Sequence, residues 1–111
     1  MATIFDAVAD PTRRHILDLL CDRPRTVGEL VDHFGISQPG ISKHLRVLRE
    51  AGLVQVRRDA QRRWYELDPT PLRQMDEWLE RYRHLWEGRL DRLDIYLREL
   101  QQKEKQDDDS G

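Results

Sequence analysis

Apolar residues recur every three to four positions over the first half of the chain and again over its last third, with a short alternating stretch between; this change of period sets the predicted elements. Ile4, Phe5 and Val8 share one helical face after Thr3, which has the chemistry of a helix cap. Asp10-Pro11 reads as the N-cap and first-turn proline of a second helix, which carries Ile16, Leu17, Leu19 and Leu20 and stops before Pro24. Thr26 and Glu29 have capping-box spacing for a third helix, with Val27, Leu30, Val31 and Phe34 inward and Gly35 closing it. Ser37 starts a fourth, whose inner face is Ile41, Leu45 and Leu48, with His44 bordering it and Gly52 ending it. Only Gly35-Ile36-Ser37 separates the third and fourth helices, the spacing of a helix-turn-helix.

The period then drops to two. Residues 53–58 and 62–67 are rich in β-branched and aromatic side chains, and Asp59-Ala60-Gln61 joins them as a three-residue hairpin loop. A helix-turn-helix followed at once by a hairpin is a winged helix. After Asp68-Pro69-Thr70-Pro71, Leu72, Met75, Leu79, Tyr82, Trp86, Leu90, Leu93, Leu97 and Leu100 follow in steps of three and four. That is a coiled-coil-like seam on a helix of roughly 30 residues and about 45 Å. Glu77–Arg81, Asp94–Arg98 and Glu99–Lys103 have acid-first i,i+4 spacing on it. The expected fold is mainly α with a small β-hairpin: a winged helix-turn-helix of five helices plus wing, the last helix long and used for dimerisation. Residues 1–104 form a single DNA-binding and dimerisation domain, and 105–111 a disordered acidic tail.

Composition sharpens this picture. The chain has 111 residues and a formal net charge of -2, with 36% charged residues. Residues 37–67 hold seven basic against three acidic side chains, a local +4 that leaves -6 on the other 80. A basic centre in an acidic chain is a placed field that fits a polyanion. No apolar run approaches 18 residues, and the N-terminus has no basic segment followed by an apolar stretch. One cysteine, Cys21, excludes a disulfide within the chain, and its place on an apolar helix predicts a buried structural thiol. The expectation is a cytoplasmic protein with no membrane partner.

The outer face of the fourth helix offers groups that read or hold nucleic acid: Gln38, Ser42, Lys43 and Arg46, with Pro39 and Gly40 keeping the helix start slim. Gln pairs with adenine; Lys and Arg pair with guanine or with phosphate. Arg57, Arg58, Arg62 and Arg63 crowd the wing tip, where four like charges need a polyanion such as a phosphate backbone. Arg13 and Arg14 suit phosphate contact or salt bridges equally. The dimer seam is assigned to Ile4, Phe5, Val8, Leu72, Met75, Leu79, Tyr82, Trp86, Leu90, Leu93 and Leu97, with Trp78 and Trp86 read as dimer core rather than a ligand box. No glycine-rich phosphate loop and no convergent nucleophile, base and orienter are present, so an enzyme is the weakest of the readings and none is expected.

The run Gly35-Ile36-Ser37-Gln38-Pro39-Gly40-Ile41-Ser42-Lys43-His44-Leu45-Arg46, continued to Gly52-Leu53-Val54, resembles the recognition segment of ArsR/SmtB-type bacterial repressors. Residues 10–17 resemble their second-helix opening; residues 62–69 and 86–93 are similar to a metal-independent branch. The resemblance implies a homodimer, paired through its first and last helices, that represses transcription from an inverted-repeat operator in double-stranded DNA. It places Gln38, Ser42 and Lys43 in the major groove and the wing on the backbone or minor groove. Gly40 replaces the Ala, Ser or Thr commoner there. The namesake metal chemistry is not expected: the third helix has no Cys-x-Cys, and the last offers only His84 beside Glu80, Glu87 and Asp91. No cofactor and no metal site are expected, and no small-molecule effector is identified. The alternatives are a winged helix that binds an acidic protein, separated by duplex binding at low salt, and a repressor that senses a metal or hydrophobic ligand.

Overall fold

The computed structural model describes the backbone of residues 2–109 and, except at 90, 91 and 105–109, their side chains. The expected acidic tail and the seam position Leu90 therefore lie wholly or partly outside the described residues. The elements run α1 (Ile4–Val8), α2 (Pro11–Asp22), α3 (Val27–Phe34), α4 (Gln38–Glu50), β1 (Val54–Asp59), β2 (Arg62–Leu67) and α5 (Thr70–Asp109). Two compact units make up the chain, Met1–Met75 and Asp76–Gly111.

The starts of α1, α2, α3 and α4 follow from their capping residues. The Thr3 and Thr26 hydroxyls accept from the N–H of Asp6 at 3.1 Å and of Glu29 at 3.2 Å, and both acidic side chains reach back to the cap N–H. Asp10 accepts from the Arg13 N–H at 3.0 Å, and Ser37 from the Gly40 N–H at 3.3 Å. These contacts satisfy donors that a helix leaves unpaired at its start. At the other end, α3 closes on Gly35 at φ 65°, a left-handed conformation that glycine adopts without steric penalty.

The carboxyls at these sites sit below their ordinary range. The Thr3 N–H does this for Asp6, the Arg13 N–H for Asp10, the Arg23 guanidinium for Glu29 and the Thr70 N–H for Asp68. A depressed carboxyl contributes stability above its unfolded pKa of about 4 and loses that contribution as pH falls through the folded value. Thermal melts are therefore expected to be flat from neutral pH down to about 5 and to drop below about 4. Asp10→Asn, which keeps a capping oxygen without the charge, should narrow that drop.

The core of the first unit is Ile4 and Ala7 of α1, Ile16, Leu17 and Leu20 of α2, Leu30 of α3, Ile41, Leu45 and Leu48 of α4, and Leu53, Val54 and Tyr65. Leu30, Ile41, Leu48 and Leu53 are completely inaccessible to solvent, so the two helix-turn-helix elements are locked through apolar contact. Leu72 and Met75, at the start of α5, pack partly against this core. Cys21 is exposed, which overturns the expectation of a buried thiol: it lies on the solvent side of α2, away from the Ile16/Leu20 face.

The wing is tighter than its sequence suggests. Asp59 pairs with Arg62, so only Ala60 and Gln61 form the turn and the three-residue loop is corrected to two. A two-residue turn that follows sheet twist places its first residue at positive φ, and Ala60 has φ 56°. That conformation strains a residue with a Cβ, so Ala60→Gly is expected to stabilise the protein by about 0.5–1 kcal/mol, measured by urea unfolding. The hairpin is also tied to the loop before α3. The Arg25 N–H donates to the Tyr65 carbonyl at 3.0 Å, and the Tyr65 N–H to the Arg25 carbonyl at 2.8 Å.

In the second unit α5 continues as one helix; at 40 residues in all it is longer than the roughly 30 expected and spans about 60 Å. Asp94 and Arg98 form one of the expected i,i+4 ion pairs, at 3.0 Å. Arg83 is held by Asp76 and by Glu80, the latter at 2.9 Å. No helix among the described residues is long and apolar enough to cross a membrane.

Candidate nucleic-acid interface

The α4 helix presents two faces because its core residues occupy one stripe. With Ile41, Leu45 and Leu48 buried, Gln38, Pro39, Ser42, Lys43 and Arg46 are left exposed. Gly40 is half-buried, and the space above it explains the residue: an added Cβ would lie 2.7 Å from the Ile36 methyl Cγ2 and 3.3 Å from the Ser37 hydroxyl. Ile36 is β-branched and stiff at χ1, so the helix-turn-helix corner closes here only with glycine or with a displaced turn.

The register of the wing sorts its arginines. Val54↔Leu67, Val56↔Tyr65 and Arg58↔Arg63 lie on one face; Gln55↔Glu66, Arg57↔Trp64 and Asp59↔Arg62 lie on the other. Arg58 and Arg63 thus prolong the core-facing row beyond the end of the core, directly opposite one another, where like charges repel. Arg57 is different. Its Nε donates to the Glu66 carboxylate at 2.5 Å, with Asp59 at 3.8 Å, and Glu66 holds the guanidinium proton more firmly than usual. Among the described residues no ion pair engages Arg58, Arg62 or Arg63.

Some of these groups, Gln38, Ser42, Arg62 and Arg63, share a groove of about 690 Å³ between α3, α4 and the wing. Gln38 and Ser42 line it from α4, Gln61, Arg62, Arg63 and Tyr65 from the wing, and Thr26, Glu29 and Asp32 from the α3 side. Glu29, paired with Arg23 at 2.6 Å, and Asp32 line one wall and Arg62 and Arg63 the other, so the groove carries opposite charges on its two sides. A second cleft of about 610 Å³ lies between the end of α4 and β1, lined by Arg46, Arg49, Glu50 and Gln55 above Val54 and Val56. The recognition face therefore has cations on both flanks.

Of the two roles the sequence left open for Arg13 and Arg14, no salt bridge forms among the described residues; both side chains instead bond backbone carbonyls. Arg13 Nε and Nη2 donate to the carbonyls of Ala7 at 2.8 Å and Asp6 at 2.9 Å; Arg14 Nη1 donates to those of Val8 at 2.7 Å and Ala9 at 3.3 Å. Both close the end of α1, whose last carbonyls lack helical partners. The assigned seam residues divide as well. Ile4 is buried in the first unit's own core, and Val8, Leu72 and Met75 pack against that core. Phe5, Tyr82, Trp86, Leu93 and Leu97 are 40–52% exposed, while Leu79 is half-buried.

His15 and His33, which lie on separate helices, come together with Phe34 as three edge-on rings 4.9–5.3 Å apart. Among the described residues no group of three or more His, Cys, Asp or Glu is placed to hold a metal ion.

A helix-turn-helix carrying a polar, cationic outer face beside an arginine-tipped hairpin defines a winged-helix DNA-binding domain. The family described as bacterial regulatory protein, arsR family, matches residues 10–56. The chain is 42% identical over 79 residues to the transcriptional repressor SdpR of Bacillus subtilis, covering 71% of this chain and 88% of that one. It is 44% identical over 78 residues to the HTH-type transcriptional regulator Rv2034 of Mycobacterium tuberculosis, covering 70% and 73%. A crystal structure of an ArsR family transcriptional regulator superposes with a TM-score of 0.67 at 34% identity, over 76% of this chain and 92% of that one. The chain belongs to the arsR family of bacterial regulatory proteins. It is a DNA-binding transcriptional regulator and not an enzyme.

Proposed function

We propose that the protein is a homodimeric repressor that binds an inverted-repeat operator in double-stranded DNA and acts in the cytoplasm. The observation that carries this reading is the shared groove, in which Gln38 and Ser42 of α4 face the same space as Arg62 and Arg63 of the wing. Gln38, Ser42, Lys43 and Arg46 read base edges in the major groove, while Pro39 and Gly40 leave the helix start slim. Arg58, Arg62 and Arg63 neutralise phosphates, with Arg57 beside them holding the wing together through Glu66. Repression then follows from occupancy of a promoter.

The second copy is supported by the exposed apolar side chains of α5, whose three-and-four spacing is the pattern of a self-complementary helix seam. Side chains such as Leu93 and Leu97 in water are an unfavourable free surface that a twofold partner removes. The test is selection of bound duplexes from a random pool, with light scattering of the free protein. The expected result is an inverted repeat whose half-sites are about 10 base pairs apart, or a multiple of that, bound by a dimer. A monomer that recovers no common sequence overturns the reading.

A further inference from the structure

Arg13 joins three elements at one point. Its backbone N–H is held by Asp10 at the start of α2, and its Nε and Nη2 close the carbonyl end of α1. Its remaining terminal nitrogen, Nη1, faces Nδ1 of His44 on α4 at 3.5 Å. A guanidinium has donors only, so the His44 atom that meets it is the one carrying a lone pair. In the neutral imidazole the proton is then on Nε2, at the far side of the ring. His44 is half-buried, between the core stripe and the exposed reading face of α4. Among the described residues no hydrogen bond engages its second nitrogen, on a residue that borders the exposed polar face of α4.

We infer that Arg13 is a positioning residue for DNA binding: anchored on α1, it fixes the His44 ring with Nδ1 toward itself and the Nε2–H donor free, so that α4 offers that donor to a phosphate oxygen of the duplex. This rests on the reading of α4 as the recognition helix. The two carbonyl contacts hold the guanidinium plane in place, and the plane in turn sets the ring, as an outer partner orients a histidine ligand. Arg14 caps α1 independently, so changing Arg13 leaves α1 with a second tether.

The test uses the full chain, a duplex recovered by selection and a random duplex. Imidazole ¹⁵N spectra of the wild type near neutral pH should show His44 with Nε2 protonated and Nδ1 bare. Arg13→Lys, which keeps the charge but has a single donor head, should mix the two tautomers. His44→Asn, whose oxygen overlays Nδ1 while the distal donor is lost, should weaken both duplexes by about tenfold, the scale of one hydrogen bond to a charged group. His44→Gln, whose amide nitrogen overlays Nε2, should recover most of that loss. Melting temperatures check that each variant is folded. Gln38→Ala and the double change of Arg62 and Arg63 to Ala serve as controls. If the controls weaken binding while His44→Asn and Arg13→Lys bind as wild type, or if His44 carries its proton on Nδ1, the inference is overturned. If the controls too are without effect, DNA reading through α4 and the wing is wrong, and this inference falls with it.

Discussion

Changing Arg62 and Arg63 together to alanine is expected to weaken binding to every duplex by about tenfold to a hundredfold near physiological salt. It should also flatten the dependence of log K on log salt by about 1.8, because each lost phosphate contact removes about 0.9 of slope. Neither arginine has an ion-pair partner among the described residues, so their charges are available to phosphate and their removal leaves no carboxylate stranded. Arg57→Ala is the internal comparison. Its guanidinium is bonded to Glu66 across the hairpin, so its loss should act on wing order and change the salt slope little. Anisotropy titrations at several salt concentrations read both quantities. Equal slopes for the double variant and the wild type would remove the wing from the interface.

Leu93→Glu with Leu97→Glu is expected to give a monomer that retains its fold and loses about a hundredfold or more of operator affinity. Both side chains are about half exposed on α5, so they contribute little to the chain's own packing. Two carboxylates facing their copies across a twofold seam repel and must be desolvated together. Separate reading heads then lose the effective concentration that linkage provides, commonly a factor of 10²–10⁴. Sedimentation reads the first effect and operator titration the second. A double variant that remains dimeric would place the seam elsewhere.

Helix ends are legible in the sequence because they depend on neighbours within four residues. Thr3, Asp10, Thr26 and Ser37 cap where their spacing predicts, and Gly35 closes α3 in the left-handed conformation that its position requires. The helix-turn-helix and the wing follow from the same local rules, as does the division of α4 into a buried stripe and an exposed polar face. The wing turn is one residue shorter than its sequence predicts, because Asp59 has turn chemistry but is held in the ladder by Arg62. Cys21 departs from its expected burial because an apolar helix still has a solvent side, and a small thiol at its end gives little sign of which side it takes.

Short-range pattern thus determined the elements, their order and the basic character of the central third of this chain. Tertiary structure decided which charges remain available. It paired Arg57 with Glu66, placed Arg62 and Arg63 beside Gln38 and Ser42, turned Arg13 and Arg14 onto the carbonyls of α1, and joined Arg25 to Tyr65. The physical reason is that a capping or periodicity signal is written within one or two turns of chain, whereas a guanidinium's partner is whatever acceptor the packed core brings within three ångströms or so, from any distance along the sequence.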